Sequence, residues 1–331
     1  FYLGATNNNL DEILHTDPTR VCGIKVFLGA STGNMLADNP DTLKTLFRDS
    51  PLLIAIHSEE ESIIQKNLAY YQQYYKEGIP IEAHPLIRDE EACYVSSSKA
   101  VELAEKFGSR LHILHLSTAR ETRLLKPEPH IQNKKITAEA CVHHLWFNDS
   151  DYSRLKQKIK WNPAIKQKKD QEGLWEALLN NRIDVIATDH APHTAEEKQL
   201  PYNSSSFNYQ TCPSGAPFIQ HALVTMLEAY HQKRISLEVI VDKMCHKPAE
   251  LFSIEKRGFI KEGYKADLVL VDMKQNWEVK KENLLYKCNW SPLENQVFQS
   301  KVTHTFVNGR LAYKEGKINP SVRGERLRFN R

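Results

Sequence analysis

The chain has 331 residues, 41% of them hydrophobic and 26% charged, with 44 basic against 41 acidic side chains and a net charge of +3. That length suits one large domain, or a large and a small one, with a sizeable core. The near balance of charge gives no footprint for a nucleic-acid partner, no apolar run reaches the ~18 residues that cross a bilayer, and six scattered cysteines without a C-x-x-C pair read as reduced thiols of a cytoplasmic protein.

The opening "FYLGA" (1–5) reads as a strand already under way, so the chain is expected to begin inside a longer fold. "GIKVFLG" (23–29) is a second apolar strand, with Lys25 in its middle, and "PDTLKTLFRD" (40–49) a helix. "LLIAIHS" (52–58) ends in His57 and leads into a long helical pattern, 58–78, whose "YYQQYY" reads as one face of an amphipathic helix. A helix is expected over 96–108, then the strand "LHILHLS" (111–117), which carries His115, and "KITAEAC" (135–141). The basic "KQKIKWNPAIKQKK" (156–169) reads as a solvated face or loop, followed by a helix over 168–181. "DVIATDH" (184–190) is an apolar strand that stops abruptly at Asp189. After "PSGAPF" (213–218) come two helical patterns, and from about residue 256 the pattern changes to alternating strands with an Asn308-Gly309 turn.

Continuous apolar strands separated by helices argue for a parallel sheet buried on both faces. Six such units with polar residues at their ends favour a (β/α)8 barrel of the TIM type over an open sheet. Residues 1–255 are therefore expected to form the barrel and 256–331 a portion of a small β-sandwich and a tail.

In a parallel barrel, functional residues gather at the C-terminal ends of the strands. Lys25, His57, His115 and Asp189 come from four different strands and would meet there. A buried lysine must be neutral, paired or modified. Imidazole and carboxylate together suit zinc or a similar divalent ion.

In order, "GIKVFLGAST", "AIHSEE", "ILHLST", "AEACVHHL" and "TDHAPH" resemble the amidohydrolase superfamily, and within it the dihydroorotases, hydrolases of a cyclic amide. The resemblance implies two divalent metal ions, zinc above all, bridged by a carbamylated Lys25. It makes His57 and His115 ligands of one ion, and Asp189 a ligand of the other as well as the catalytic proton carrier. It gives His193, Asn162 and Gly215 to substrate binding. The implied activity is reversible hydrolysis of dihydroorotate to carbamoyl aspartate, in pyrimidine synthesis, with a small-molecule substrate and a homodimer as the assembly considered. Hydantoinase- or allantoinase-type hydrolysis, or a non-catalytic relative, are the alternatives. The family's H-x-H-x-R motif is absent: the first histidine is His15, alone. The chain is thus expected to enter at the third barrel strand, with two of eight strands and half of the sandwich outside it. His143 and His144 read as supporting or packing positions, His190 as a bystander, and His84, His112, His221, His231 and His246 have no partner that the sequence identifies.

Overall fold

The computed structural model describes residues 1–29, 36–37, 39–76 and 78–331. The end of the "GIKVFLGAST" motif and Glu77 lie outside the described residues. Six parallel strands run side by side in chain order: β1 (Tyr2–Gly4), β2 (Gly23–Phe27), β3 (Ile54–His57), β4 (Leu111–Ile113), β5 (Ile136–Cys141) and β6 (Val185–Ala187). This is the arc of a TIM-type barrel, with helices in the crossovers between its strands. Register puts Lys25 opposite Ala55 and Phe27 opposite His57. Ile24, Val26, Ile54, Ile56, Leu111 and Ile113 are fully buried. Such continuous apolar strands can only be satisfied when both faces are covered.

The helices start where local chemistry allows. Asn39 caps Pro40–Asp49 by accepting from the amides of Asp41 and Thr42, with proline in the first turn. Asp89 caps Glu90–Phe107 through the Ala92 amide, and Gly108 ends that helix in the left-handed region at φ +70°. This helix begins six residues earlier than the hydrophobic pattern suggests, because its first turns are polar and capped. The segment Glu61–Tyr74 turns Tyr70 and Tyr74 to solvent, while Tyr71 and Tyr75 pack on the core.

The stretch 156–169 is not a solvated face. Ile159, Trp161 and Ile165 are fully buried and carry Lys160 and Lys166 inward with them. Lys156 and Lys158 reach the carboxylates of Glu82 and Glu294.

Beyond the barrel come β7 (Leu268–Asp272), β8 (Trp277–Glu278), β9 (Val297–Phe298), β10 (Lys301–Val307), β11 (Arg310–Lys314) and β12 (Lys317–Ile318). β7, β10, β11 and β12 form an antiparallel sheet, and β8 pairs with β9. Asn308 and Gly309, both at positive φ, turn β10 into β11. Trp277, Trp290, Leu293 and Phe298 pack into the barrel's own core. The end of the chain returns to the barrel, where Arg331 donates to the carbonyls of Cys22 and Phe252. Among the described residues no helix is long and apolar enough to cross a membrane.

Candidate metal and substrate site

The site lies at the C-terminal end of the parallel strands. Lys25 is in the middle of β2 and His57 is the last residue of β3. His115 lies two residues beyond β4 and Asp189 two beyond β6, and both take positive φ, +39° and +43°. Left-handed backbone at non-glycine residues is strained and is held by its surroundings. It ends each strand early and turns the side chain away from the ladder. That is why β4 stops at Ile113 although apolar residues continue to Leu116.

His57 Nδ1 and His115 Nε2 face each other at 3.1 Å. Both rings are buried, and burial pushes both pKa values below the ordinary histidine value, His115 far below. Two neutral imidazoles with converging nitrogens suit one ion, since ligands at ~2.1 Å and a tetrahedral angle lie ~3.4 Å apart. His57 Nε2 sits 3.0 Å from the Glu59 carboxylate, a contact within ion-pair range but without hydrogen-bond geometry, and Nδ1 is turned to His115 and the ion's side. His115 Nδ1 has no hydrogen-bond partner among the described residues. The donor set fits a divalent metal.

Lys25 faces both halves of the site. Burial lowers its pKa to about 8, against the opposing pull of Glu139 and Asp189. Asp189 is raised to about 6 by burial and by Glu139, with Lys25 opposing. Glu139, in the middle of β5, also lies 3.1 Å from His112 Nε2 and accepts from the His115 amide at 3.3 Å. Sequence reasoning passed over Glu139. The signal was available: like Lys25, it is a charge inside an apolar strand.

Three loops carry the predicted substrate contacts. Asn162 accepts from Ser214 Oγ at 2.9 Å, and its amide nitrogen makes no hydrogen bond among the described residues. His193 donates through Nε2 to the Ser214 carbonyl at 3.0 Å, and its Nδ1 lies 3.7 Å from Glu197. Gly215 has φ +105°, and a Cβ there would lie 2.4 Å from the Ala191 carbonyl oxygen. Only glycine fits so close an approach. Gly215→Ala is therefore expected to force the 191 and 215 loops apart, lowering the thermal midpoint by a few degrees and weakening substrate binding about tenfold or more. Thermal denaturation and KM measured on the same preparation check it.

The remaining histidines find partners that the sequence did not reveal. His84 donates to the Trp161 carbonyl at 2.6 Å and accepts from the Tyr209 hydroxyl at 2.8 Å. His190 accepts from the amides of Phe218 and Ile219 and lies against Tyr286. His143 stacks flat on Trp161 at 4.0 Å, and His144 donates to the Pro163 carbonyl at 3.1 Å. Cys141, His143 and His144 form a buried group whose ligand atoms lie within 4.8 Å of one another. His246 stacks on Phe259 at 4.3 Å, and His231 contacts Ser300 Oγ at 2.8 Å.

A parallel barrel with histidines, a lysine and an aspartate at its strand ends defines the class of metal-dependent barrel hydrolases. The sequence profile of the amidohydrolase family matches residues 75–312, and the chain belongs to that family. Among similar proteins are the dihydroorotases of Pyrococcus horikoshii, 31% identical over 315 residues, and Pyrococcus furiosus, 32% identical over 305. These alignments cover 95% and 92% of this chain, and 66% and 64% of the relatives. The chain thus spans about two thirds of the length of the curated relatives it matches. Among solved structures, the L-hydantoinase (dihydropyrimidinase) of Arthrobacter aurescens superposes with a TM-score of 0.87 at 25% identity, covering 96% of this chain and 70% of that one.

Proposed function

We propose that residues 1–255 form the catalytic barrel of a dihydroorotase, which reversibly opens the cyclic amide of dihydroorotate to N-carbamoyl-L-aspartate in the cytoplasm. The observation that carries this reading is the meeting of Lys25, His57, His115 and Asp189 beside three loops that bear Asn162, His193 and Gly215.

Two divalent ions, zinc by the chemistry of the donors, would be held by His57 and His115 on one side and Asp189 on the other, with a carbamylated Lys25 between them. When bound, the metal supplies Lewis-acid polarisation of the ring carbonyl and lowers the pKa of water towards neutral. With its pKa lowered to about 8, Lys25 has an accessible neutral amine. Addition of that amine to carbon dioxide, with loss of a proton, exchanges a buried ammonium for a carboxylate. Asp189, raised to about 6, accepts the proton of the attacking water and delivers it to the departing amide nitrogen. His193 would hold the substrate's carboxylate and the free amide of Asn162 would contact its ring, and Gly215 brings backbone groups close to the ring.

The likeness to an L-hydantoinase structure favours a second reading, a hydantoinase-type hydrolase. A substrate with an anionic carboxylate needs hydrogen-bonding or cationic partners, and a site built for it rejects analogues lacking that group by large factors. The full-length protein is expected to turn over dihydroorotate with kcat/KM at least about 10²-fold above that for hydantoin or allantoin. Preference for either of the latter would replace the first reading with the second.

A further inference from the structure

We infer that Lys198 is the positioning residue that holds the three substrate-contact loops in register, fastening the wall of the site from behind without touching substrate. The inference rests on the proposed roles of Asn162, His193 and Gly215.

Lys198 is fully buried. Its ammonium donates to the carbonyls of Lys160 at 3.2 Å, Pro213 at 2.8 Å and Gly215 at 2.7 Å. A lysine ammonium has three donors and no acceptor, and here each proton meets a carbonyl. Among the described residues its hydrogen-bond partners are these three carbonyls, with no carboxylate. Burial pulls its pKa down to about 7, and such a group is tolerated inside only where its hydrogen bonds are made.

The identity of the partners gives the arrangement its meaning. Lys160 lies two residues before Asn162. Pro213 and Gly215 flank Ser214, whose carbonyl accepts from His193 and whose hydroxyl donates to Asn162. Lys198 itself belongs to the loop that carries His193, five residues away. One ammonium therefore joins the 160–163, 193–198 and 213–215 segments, and each contributes one of the three proposed substrate contacts. The Gly215 amide closes the same junction by donating to the Lys160 carbonyl at 2.8 Å. The neighbouring Lys160 repeats the device, donating to the carbonyls of Tyr209 and Cys212. The loops are long and irregular, and carbonyl acceptors gathered on a single cation give them the fixed geometry that a ring-shaped substrate requires.

The test compares Lys198→Met and Lys198→Gln with the unchanged full-length protein. Lys134→Met serves as a control, because the Lys134 side chain is also buried and also donates to backbone carbonyls, of Asn181 and Arg182, as well as to the Asp184 carboxylate, but at the opposite end of the strands. For Lys198→Met, KM for dihydroorotate is expected to rise about ten- to a hundredfold while kcat changes only a few-fold, since a misplaced contact of about 1 Å costs on that order. Lys198→Gln, a shorter side chain that keeps two N–H donors, should fall between. Amide hydrogen exchange in the free protein should quicken across 160–163 and 213–215 and stay unchanged in the barrel strands. Lys134→Met should lose stability with KM unmoved. Unchanged KM and unchanged exchange in Lys198→Met would overturn the inference. So would loss of folding in both Lys198 variants, which would mark a role in folding alone. If the unchanged protein turns over no cyclic amide, the functional reading fails separately, and the exchange measurement still decides whether Lys198 fastens the loops.

Discussion

Asp189→Asn is expected to lower kcat for dihydroorotate by about 10²–10⁴-fold, the range that a positioned acid–base group contributes, without loss of the fold. Asparagine is nearly isosteric and is among the residues that best tolerate the left-handed backbone that Asp189 adopts at φ +43°. The change also removes a carboxylate that burial and Glu139 hold at a raised pKa of about 6. Stability at neutral pH should therefore hold or rise as activity falls. That opposite movement is the signature of a residue kept for chemistry against the preference of the fold. Metal content, measured on the same samples, separates the two roles proposed for Asp189. A loss of turnover that tracks lost metal marks a ligand only. A loss at full metal content marks the proton carrier. Turnover within a factor of about three at unchanged metal content would sink both, since such a change is under 1 kcal/mol of barrier.

The reason Asp189 could be found in the sequence applies to part of the site and not to the rest. Lys25, His57, His115 and Asp189 each interrupt or end an apolar strand, and a parallel barrel gathers such ends in one place. A local pattern plus one topological rule was enough. Glu139 obeys the same pattern, but it stands mid-strand, ahead of the more conspicuous His143 and His144. Across 156–169 the density of charge points to solvent, and much of the stretch is indeed loop, but the apolar residues between the charges bury it. Ile159, Trp161 and Ile165 dictate the burial there, and Lys160 and Lys166 follow them inward. Lys198 and Arg88 belong to a different class. Lys198 bonds to carbonyls up to 38 positions away, and every residue has a carbonyl, so no sequence pattern encodes the contact. Arg88 meets Glu59 across 29 positions, through a turn set by the short helix His84–Ile87 and the Asp89 cap. Strand ends were legible, whereas the loops that complete the site depend on long-range contacts.

Arg88→Met is expected to destabilise the protein by about 3–5 kcal/mol, the usual consequence of leaving one member of a buried ion pair alone. Glu59 is fully buried and Arg88 nearly so. Arg88 Nε lies 3.1 Å from both carboxylate oxygens and Nη2 donates to Oε2 at 2.7 Å. Burial alone would raise the Glu59 pKa, but Arg88 and His57 outweigh it and hold the carboxyl well below its ordinary 4.5. The folded value lies below the unfolded one, so the pair's contribution is present in full above about pH 4.5 and is lost as the pH falls through the folded value. In Arg88→Met the burial effect is no longer offset by the guanidinium. The Glu59 pKa should then move upward, and stability should fall with rising pH instead. Urea unfolding at two or three pH values reads both the magnitude and the reversal of slope. The double variant Glu59→Leu, Arg88→Met separates stability from function, because apolar replacement of a whole buried pair is often neutral or better. It should recover most of the lost stability. It should not recover metal binding, because Glu59 also stands 3.0 Å behind the His57 ring, and loss of a carboxylate behind a ligand histidine costs about 10–100-fold in metal affinity. A single variant within about 1 kcal/mol of the unchanged protein would show that water or another group compensates Glu59. A double variant with unchanged metal affinity would show that His57 needs no carboxylate behind it.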